Sequence, residues 1–158
     1  MIVMTFPVHV SDPSDKYDSF EDYVDDHYNS HWRVEEPYNS HYLVIQEFFE
    51  RFGSARGGGS KLAFIDSDGD VIKVPHHQSY EGRLEREVRT YQRYISGDPG
   101  IIPIAHCFLE RHRGVLIERM ELVTRHDIPR DNYPEWVSEV DCEQVGYNRA
   151  GELVAFDL

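Results

Sequence analysis

The chain has 158 residues, a formal net charge of −13, and 40% apolar residues that include ten Tyr, eight Phe and two Trp. That mass supplies one real core, so the length fits one compact domain with at most an extended arm. The acidity argues against binding nucleic acid through its phosphates, which demands clustered Lys and Arg. No apolar run approaches the roughly eighteen residues of a membrane span, and Met1-Ile2-Val3-Met4-Thr5 lacks the basic start of a signal peptide. The two cysteines, Cys107 and Cys142, lie far apart and require no disulfide. A soluble, cytoplasmic, reduced chain is expected.

Residues 6–10 read as a short strand, broken by Asp12-Pro13-Ser14-Asp15. Ser14 or Asp15 then caps a predicted helix running to about Tyr28, with Phe20, Tyr23, Val24 and Tyr28 on one face. Asp18, Glu21, Asp22, Asp25 and Asp26 cover the remainder. Between Ser11 and Ser40 nine acidic residues, Glu35 and Glu36 among them, stand against Lys16 and Arg33. More than half of the net charge therefore falls in under a fifth of the chain. A Tyr-Asn-Ser-His tetrad occurs at 28–31 and again at 38–41; two copies read as loop and cap signals, not as a repeat. Ser40 opens a second predicted helix over residues 41–52, with Leu43, Val44, Phe48 and Phe52 on the buried face and Ile45 and Phe49 beside it. Gly53 ends it.

From Gly53 the period changes from helix to strand. Residues 54–60 contain Gly57-Gly58-Gly59 and read as a flexible loop, followed by strands over 61–65 and 71–74 joined at Asp66-Ser67-Asp68-Gly69-Asp70. A charged helix over residues 81–95 carries Leu84, Val88, Tyr91 and Ile95 at three-to-four spacing, toward the sheet. Strands over 104–110 and 114–119, joined at Arg111-His112-Arg113, come next. Residues 124–134 are polar with two prolines and read as a linker, and 135–140 as a helical turn. A hairpin closes the chain, turning at Tyr147-Asn148-Arg149-Ala150-Gly151 and returning through Glu152-Leu153-Val154-Ala155-Phe156.

A Gly-rich loop, a strand ending Val71-Ile72-Lys73-Val74, a helix carrying Glu87-Val88-Arg89-Thr90-Tyr91 and two further strands come in an order that resembles the small lobe of protein kinases and related small-molecule kinases. The resemblance spans about residues 53–158. It implies that the loop covers nucleotide phosphates and that Lys73 grips them while paired to Glu87, with Glu85 the other acidic choice. It also implies a hinge at Val115-Leu116-Ile117-Glu118-Arg119-Met120-Glu121 and puts Asp157 in the place of the metal-binding Asp of the Asp-Phe-Gly motif. The chain departs from that pattern in several ways. Its glycines are contiguous instead of spaced, and the His-Arg-Asp catalytic loop is absent. Glu139 and Gln144 fall where the catalytic Asp and metal-binding Asn belong. Leu158 follows Asp157 directly, so no activation segment or helical large lobe is expected. On this reading Lys73, Glu87 and Asp157 are a vestigial nucleotide pocket, with no catalytic residue, metal or cofactor.

Other candidates are weaker. His27 and His31 lie one helical turn apart and could ligate a metal with Asp26 or His41, but no Glu or Cys completes a motif. Asp66, Asp68 and Asp70 suggest the start of a calcium loop, yet the glycine is displaced and His77 stands where the closing Glu belongs, so a hairpin turn is expected.

The acidic segment reads either as a solvated face, adapted to solubility or high salt, or as an imitation of nucleic acid. Carboxylates at i and i+4 on a helix lie roughly 6 Å apart, and a duplex presents about one charge per 1.7 Å of its axis. Asp15, Asp18, Glu21, Asp22, Asp25, Asp26, Glu35 and Glu36 would supply the charge, with Tyr23 and Trp32 as aromatic anchors.

The expected fold is α+β, an antiparallel sheet of about five strands with one packed helix (residues 53–158) behind an acidic helical arm (residues 1–52). The expected function is non-catalytic. A degenerate kinase-like lobe carries an arm that blocks a basic, nucleic-acid-handling host protein such as a topoisomerase, nuclease or polymerase, as viral or phage inhibitors do. The alternative is a nucleotide-binding pseudokinase, or a minimal kinase completed by a partner.

Overall fold

The computed structural model describes residues 16–28, 40–124, 133–140 and 144–156. The fold is α+β. Strands β1 (Lys16–Tyr17), β2 (Ala55–Gly57), β3 (Lys61–Ile65), β4 (Val71–Pro75), β5 (Cys107–His112) and β6 (Val115–Met120) form one antiparallel sheet in the order β1-β2-β3-β4-β6-β5. A two-stranded sheet pairs β7 (Val145–Tyr147) with β8 (Leu153–Ala155). Helices α1 (Phe20–Tyr23), α2 (Ser40–Phe52) and α3 (Glu81–Ile95) complete the regular elements, α1 widening into a π-helical turn over Val24–Tyr28.

Side chains alternate across a strand, so the sheet has two faces with different coverings. Leu62, Phe64, Ile72, Val74, Val115 and Ile117 share one face with Tyr23 and with Val44, Ile45, Phe48 and Phe49 of α2. The Phe64 ring meets Phe48 and Phe49 edge-on, with centroids 5.7 and 5.1 Å apart. Ala63, Val71, Cys107 and Met120 share the other face with Val88 of α3 and with Val154 and Phe156 from the end of the small hairpin. The result is three layers, α1 and α2 above the sheet, α3 and the hairpin below.

Several boundaries differ from the sequence reading. The first helix does not begin at Ser14 or Asp15. Lys16 and Tyr17 pair with Arg56 and Ala55 as an edge strand, and Ser19 caps α1, its Oγ accepting the Asp22 amide at 3.2 Å. Among the described residues before Gly53, β1 extends the sheet and α2 supplies Val44, Ile45, Phe48 and Phe49 to one core. The Gly-rich stretch is a hairpin whose first half is β2. Leu43 is exposed, since α2 faces the sheet with the neighbouring stripe of His41, Val44, Ile45, Phe48 and Phe49. Ile95 is 61% exposed because α3 ends there, beyond the edge of the sheet, whereas Leu84 and Val88 are buried as expected. The strand expected over residues 104–110 starts later. Ile104 makes a parallel bridge to Ala155, and β5 runs to a tight turn at Arg113 and Gly114, both with positive φ (50° and 82°). The strand expected over 6–10 and most of the linker lie outside the described residues.

Candidate functional site

Lys73 sits in the middle of β4, opposite Ala63 on one side and Glu118 on the other. Its neighbours Ile72 and Val74 point to the α2 face, so the lysine is turned toward α3. There Glu87 meets it, with Nζ donating to Oε1 at 2.7 Å and Oε2 at 3.0 Å. The pairing expected between Lys73 and Glu87 is present. What sequence reasoning missed is that Glu118 joins it. Glu118 Oε2 lies 3.3 Å from Lys73 Nζ, and all three residues are at most 2% exposed. Lys61 Nζ approaches Glu87 Oε2 at 3.6 Å from the rim.

Neither oxygen of Glu118 has a hydrogen-bond partner among the described residues. Burial holds this carboxyl up at about 8, and repulsion from Glu87 adds to the effect while Lys73 opposes it. At neutral pH Glu118 is therefore a neutral acid beside one ion pair. A neutral acid adds no charge to the Lys73–Glu87 pair, which lowers the cost of burying the three groups together. Cys107 completes the cluster as a buried free thiol, its pKa pushed up by that burial and by Glu118 and Glu87. Ligand atoms of Glu87, Cys107 and Glu118 lie within 4.8 Å of one another, so these residues could surround a metal. The signal for Glu118 in the sequence was an acid directly after the apolar run Val115-Leu116-Ile117.

The glycine loop is tied down rather than open. The Gly58 amide donates to Lys61 O at 2.9 Å, and the His76 amide to Ser60 O at 3.0 Å. His76 Nε2 lies 2.7 Å from the Gly58 carbonyl, which can only accept, so Nε2 carries the proton. Nδ1 then accepts from the Tyr23 hydroxyl at 3.0 Å. At Gly57 a Cβ would stand 2.5 Å from Tyr17 Cε2. This glycine makes room for an aromatic ring from β1.

Of the acidic residues expected to meet a partner, Glu21, Asp22, Asp25 and Asp26 are exposed on α1 and its π-helical continuation, and Asp18 is exposed just before the Ser19 cap. Asp18 pairs with Lys16 at 3.3 Å, and Asp26 accepts from the Tyr17 hydroxyl. Tyr23 requires a correction. It is fully buried and packs on His76 with ring centroids 5.7 Å apart, so it anchors the acidic helix to the sheet and cannot be an exposed contact. Asp15, Trp32, Glu35, Glu36 and Asp157 lie outside the described residues.

The remaining candidates are structural. His41 turns to Glu81, Nε2 to Oε1 at 3.2 Å, in a cleft also lined by His77 and Arg111. Burial lowers the pKa of His41, and Glu81 works against that shift. Asp66 forms an Asx turn, Oδ1 accepting the amides of Asp68 at 2.8 Å and Asp70 at 2.9 Å. Arg119 and Arg149 neutralise that turn, which is the hairpin expected there. No helix among the described residues is long and apolar enough to cross a membrane. No family model, curated protein or solved structure matches the chain.

Proposed function

We propose that the protein is a non-catalytic, acidic binding module whose contact surface is the exposed ridge of α1 and its π-helical turn. The observation that carries this reading is the division of the charged groups. Lys73 and Glu87, which the kinase-like reading assigns to a nucleotide pocket, are sealed from solvent together with Glu118, while Asp18, just before the Ser19 cap, and Glu21, Asp22 and Asp25, on the helix fixed by the buried Tyr23, stand in water. A ridge of carboxylates on a rigid support suits a groove lined with Lys and Arg, and its charge steers encounter. The partner on this reading is a basic protein that handles nucleic acid in the cytoplasm, and the ridge takes the place of phosphates.

A topoisomerase, a nuclease and a polymerase, each assayed for inhibition by the wild-type chain and by the Asp18→Asn, Glu21→Gln, Asp22→Asn, Asp25→Asn variant, provide the test. Inhibition of at least one, lost in the variant and relieved by added duplex DNA, is the expected outcome. Equal inhibition by both chains at every salt concentration would sink the mimicry.

A second reading, a nucleotide-binding pseudokinase lobe, is favoured by one specific observation, the 2.7 Å strand-to-helix pair of Lys73 and Glu87. A thermal-shift titration with Mg-ATP separates the two, since a ligand that binds only the native state raises its stability by mass action.

A further inference from the structure

The basic residues of this acidic chain are not scattered. Four of the thirteen arginines, Arg83, Arg86, Arg89 and Arg93, lie on α3. Arg86, Arg89 and Arg93 follow one another at three and four residues, which places them on a single ridge. Leu84, Glu87 and Val88 form the buried face of the same helix, so that ridge points directly away from the sheet. All three arginines are exposed. Arg93 is held by Asp98 at 2.7 Å, and Arg83 rests on the Tyr80 ring with 5.7 Å to its centroid. Arg86 and Arg89 have no acidic partner among the described residues.

A complementary ridge exists on the same molecule. Glu21 and Asp22 are exposed in the first turn of α1, with Asp18, paired to Lys16 at 3.3 Å, exposed just before its cap. The two ridges cannot meet within one chain, because α1 packs with the sheet face built from Leu62, Ile72 and Val74, and α3 with the face built from Ala63 and Val71. A head-to-tail contact joins one pair per interface.

We propose that the arginine ridge of α3 docks the acidic start of α1 from a second copy of this chain, producing weak head-to-tail association. The contact relies on exposed ion pairs, each of which contributes little, so the association is weak. Association strengthens at low ionic strength and fades as the Debye length drops below about 8 Å. The proposal uses the same acidic ridge as the function proposed above but needs no foreign partner. On this basis self-association holds the ridge in reserve, and a tighter basic partner displaces it.

Sedimentation velocity across a concentration series at low and high salt tests the idea, with two charge-reversed chains. One carries Arg86→Glu and Arg89→Glu, the other Glu21→Lys and Asp22→Lys. The wild-type chain is expected to associate at low salt, and at least tenfold more weakly at high salt. Each reversed chain alone should stay monomeric, and an equal mixture of the two should associate again, since each then offers the ridge that the other lacks. All four positions are exposed, and thermal unfolding of each variant confirms its fold. Should a reversed chain unfold, its Gln or Asn counterpart must still weaken association. A wild-type chain that stays monomeric at low salt overturns the proposal, as does a mixture of folded variants that stays monomeric. Neither result touches inhibition of a foreign enzyme, which the four-site neutral variant measures separately.

Discussion

The ammonium of Lys73 and the carboxyl of Glu118 face each other across β4 and β6 at 3.3 Å, and neither has any contact with water. A buried acid of this kind links folding to protons. Glu118 is held up at about 8 in the folded chain, against an ordinary value near 4.5. Between those limits the native state binds a proton that the unfolded state has released. Its stabilising contribution is therefore complete below about pH 4.5 and is lost as pH rises toward 8.

Glu118→Gln should remove this dependence. The amide keeps the shape of the neutral acid and has no proton to lose. Urea midpoints of the two chains, compared from pH 5 to pH 8.5, should diverge as pH rises. The variant is expected to be the more stable at the alkaline end by on the order of 2 kcal/mol, after allowance for relaxation around the buried group. A difference that does not change with pH would mean that Glu118 is ionised throughout.

Lys73→Met tests the other half of the cluster. It removes the closer cation of Glu87 and leaves Lys61 at the rim, 3.6 Å away, and losing one partner of a buried pair costs about 3–5 kcal/mol. Replacing both charges, Lys73→Met with Glu87→Leu, should recover most of that loss, since a well-packed apolar pair of similar volume is often as stable. Denaturant unfolding of the two variants reads the difference. If Lys73→Met alone is harmless, the lysine does not anchor α3 to the sheet.

Gly57→Ala should be destabilising for a steric reason. Its backbone is not in the left-handed region, so the cost comes from a Cβ 2.5 Å from the Tyr17 ring. Moving that ring breaks its hydroxyl contact with Asp26 and loosens β1 against β2. A loss of about 1–3 kcal/mol is expected for overpacking, and Tyr17→Ala in the same chain should recover part of it. Thermal unfolding of the single and double variants decides whether the ring is the obstacle.

The sheet and both longer helices were legible because their apolar residues recur at strand or helix period, and Lys73 and Glu87 were legible as a pair from their order along the chain. What local pattern could not supply was the tertiary context. Ser19 is the cap because Lys16 and Tyr17 find strand partners in Arg56 and Ala55, thirty-eight residues or more away. Glu118 looked like one charge in a hinge, since nothing in Val115-Leu116-Ile117 says that the next side chain will be sealed beneath α3. Tyr23 read both as part of an apolar face with Phe20 and Val24 and as an aromatic anchor for a partner, and only the tertiary contact with His76 separates the two. Each of these outcomes depends on residues distant in sequence.

The last test concerns α3, where the exposed Ile95 allows a contrast along one helix. Val88 is 5% exposed and lies in the core formed with Ala63, Val71 and Met120, whereas Ile95 is 61% exposed at the end of the helix. Both belong to one apolar stripe by spacing, so sequence alone assigns them equal weight. Burial separates them. Val88→Ala removes two methyl groups from a packed site and should cost about 1–3 kcal/mol through lost transfer energy and the cavity left behind. Ile95→Ala leaves no cavity and replaces a β-branched residue with the best helix former, so its effect should stay within about 0.5 kcal/mol in either direction. Chemical denaturation of the two variants, with equal slopes, measures both numbers directly. Equal losses at the two positions would mean that α3 is buried to its last turn, and that another surface covers Ile95 in solution.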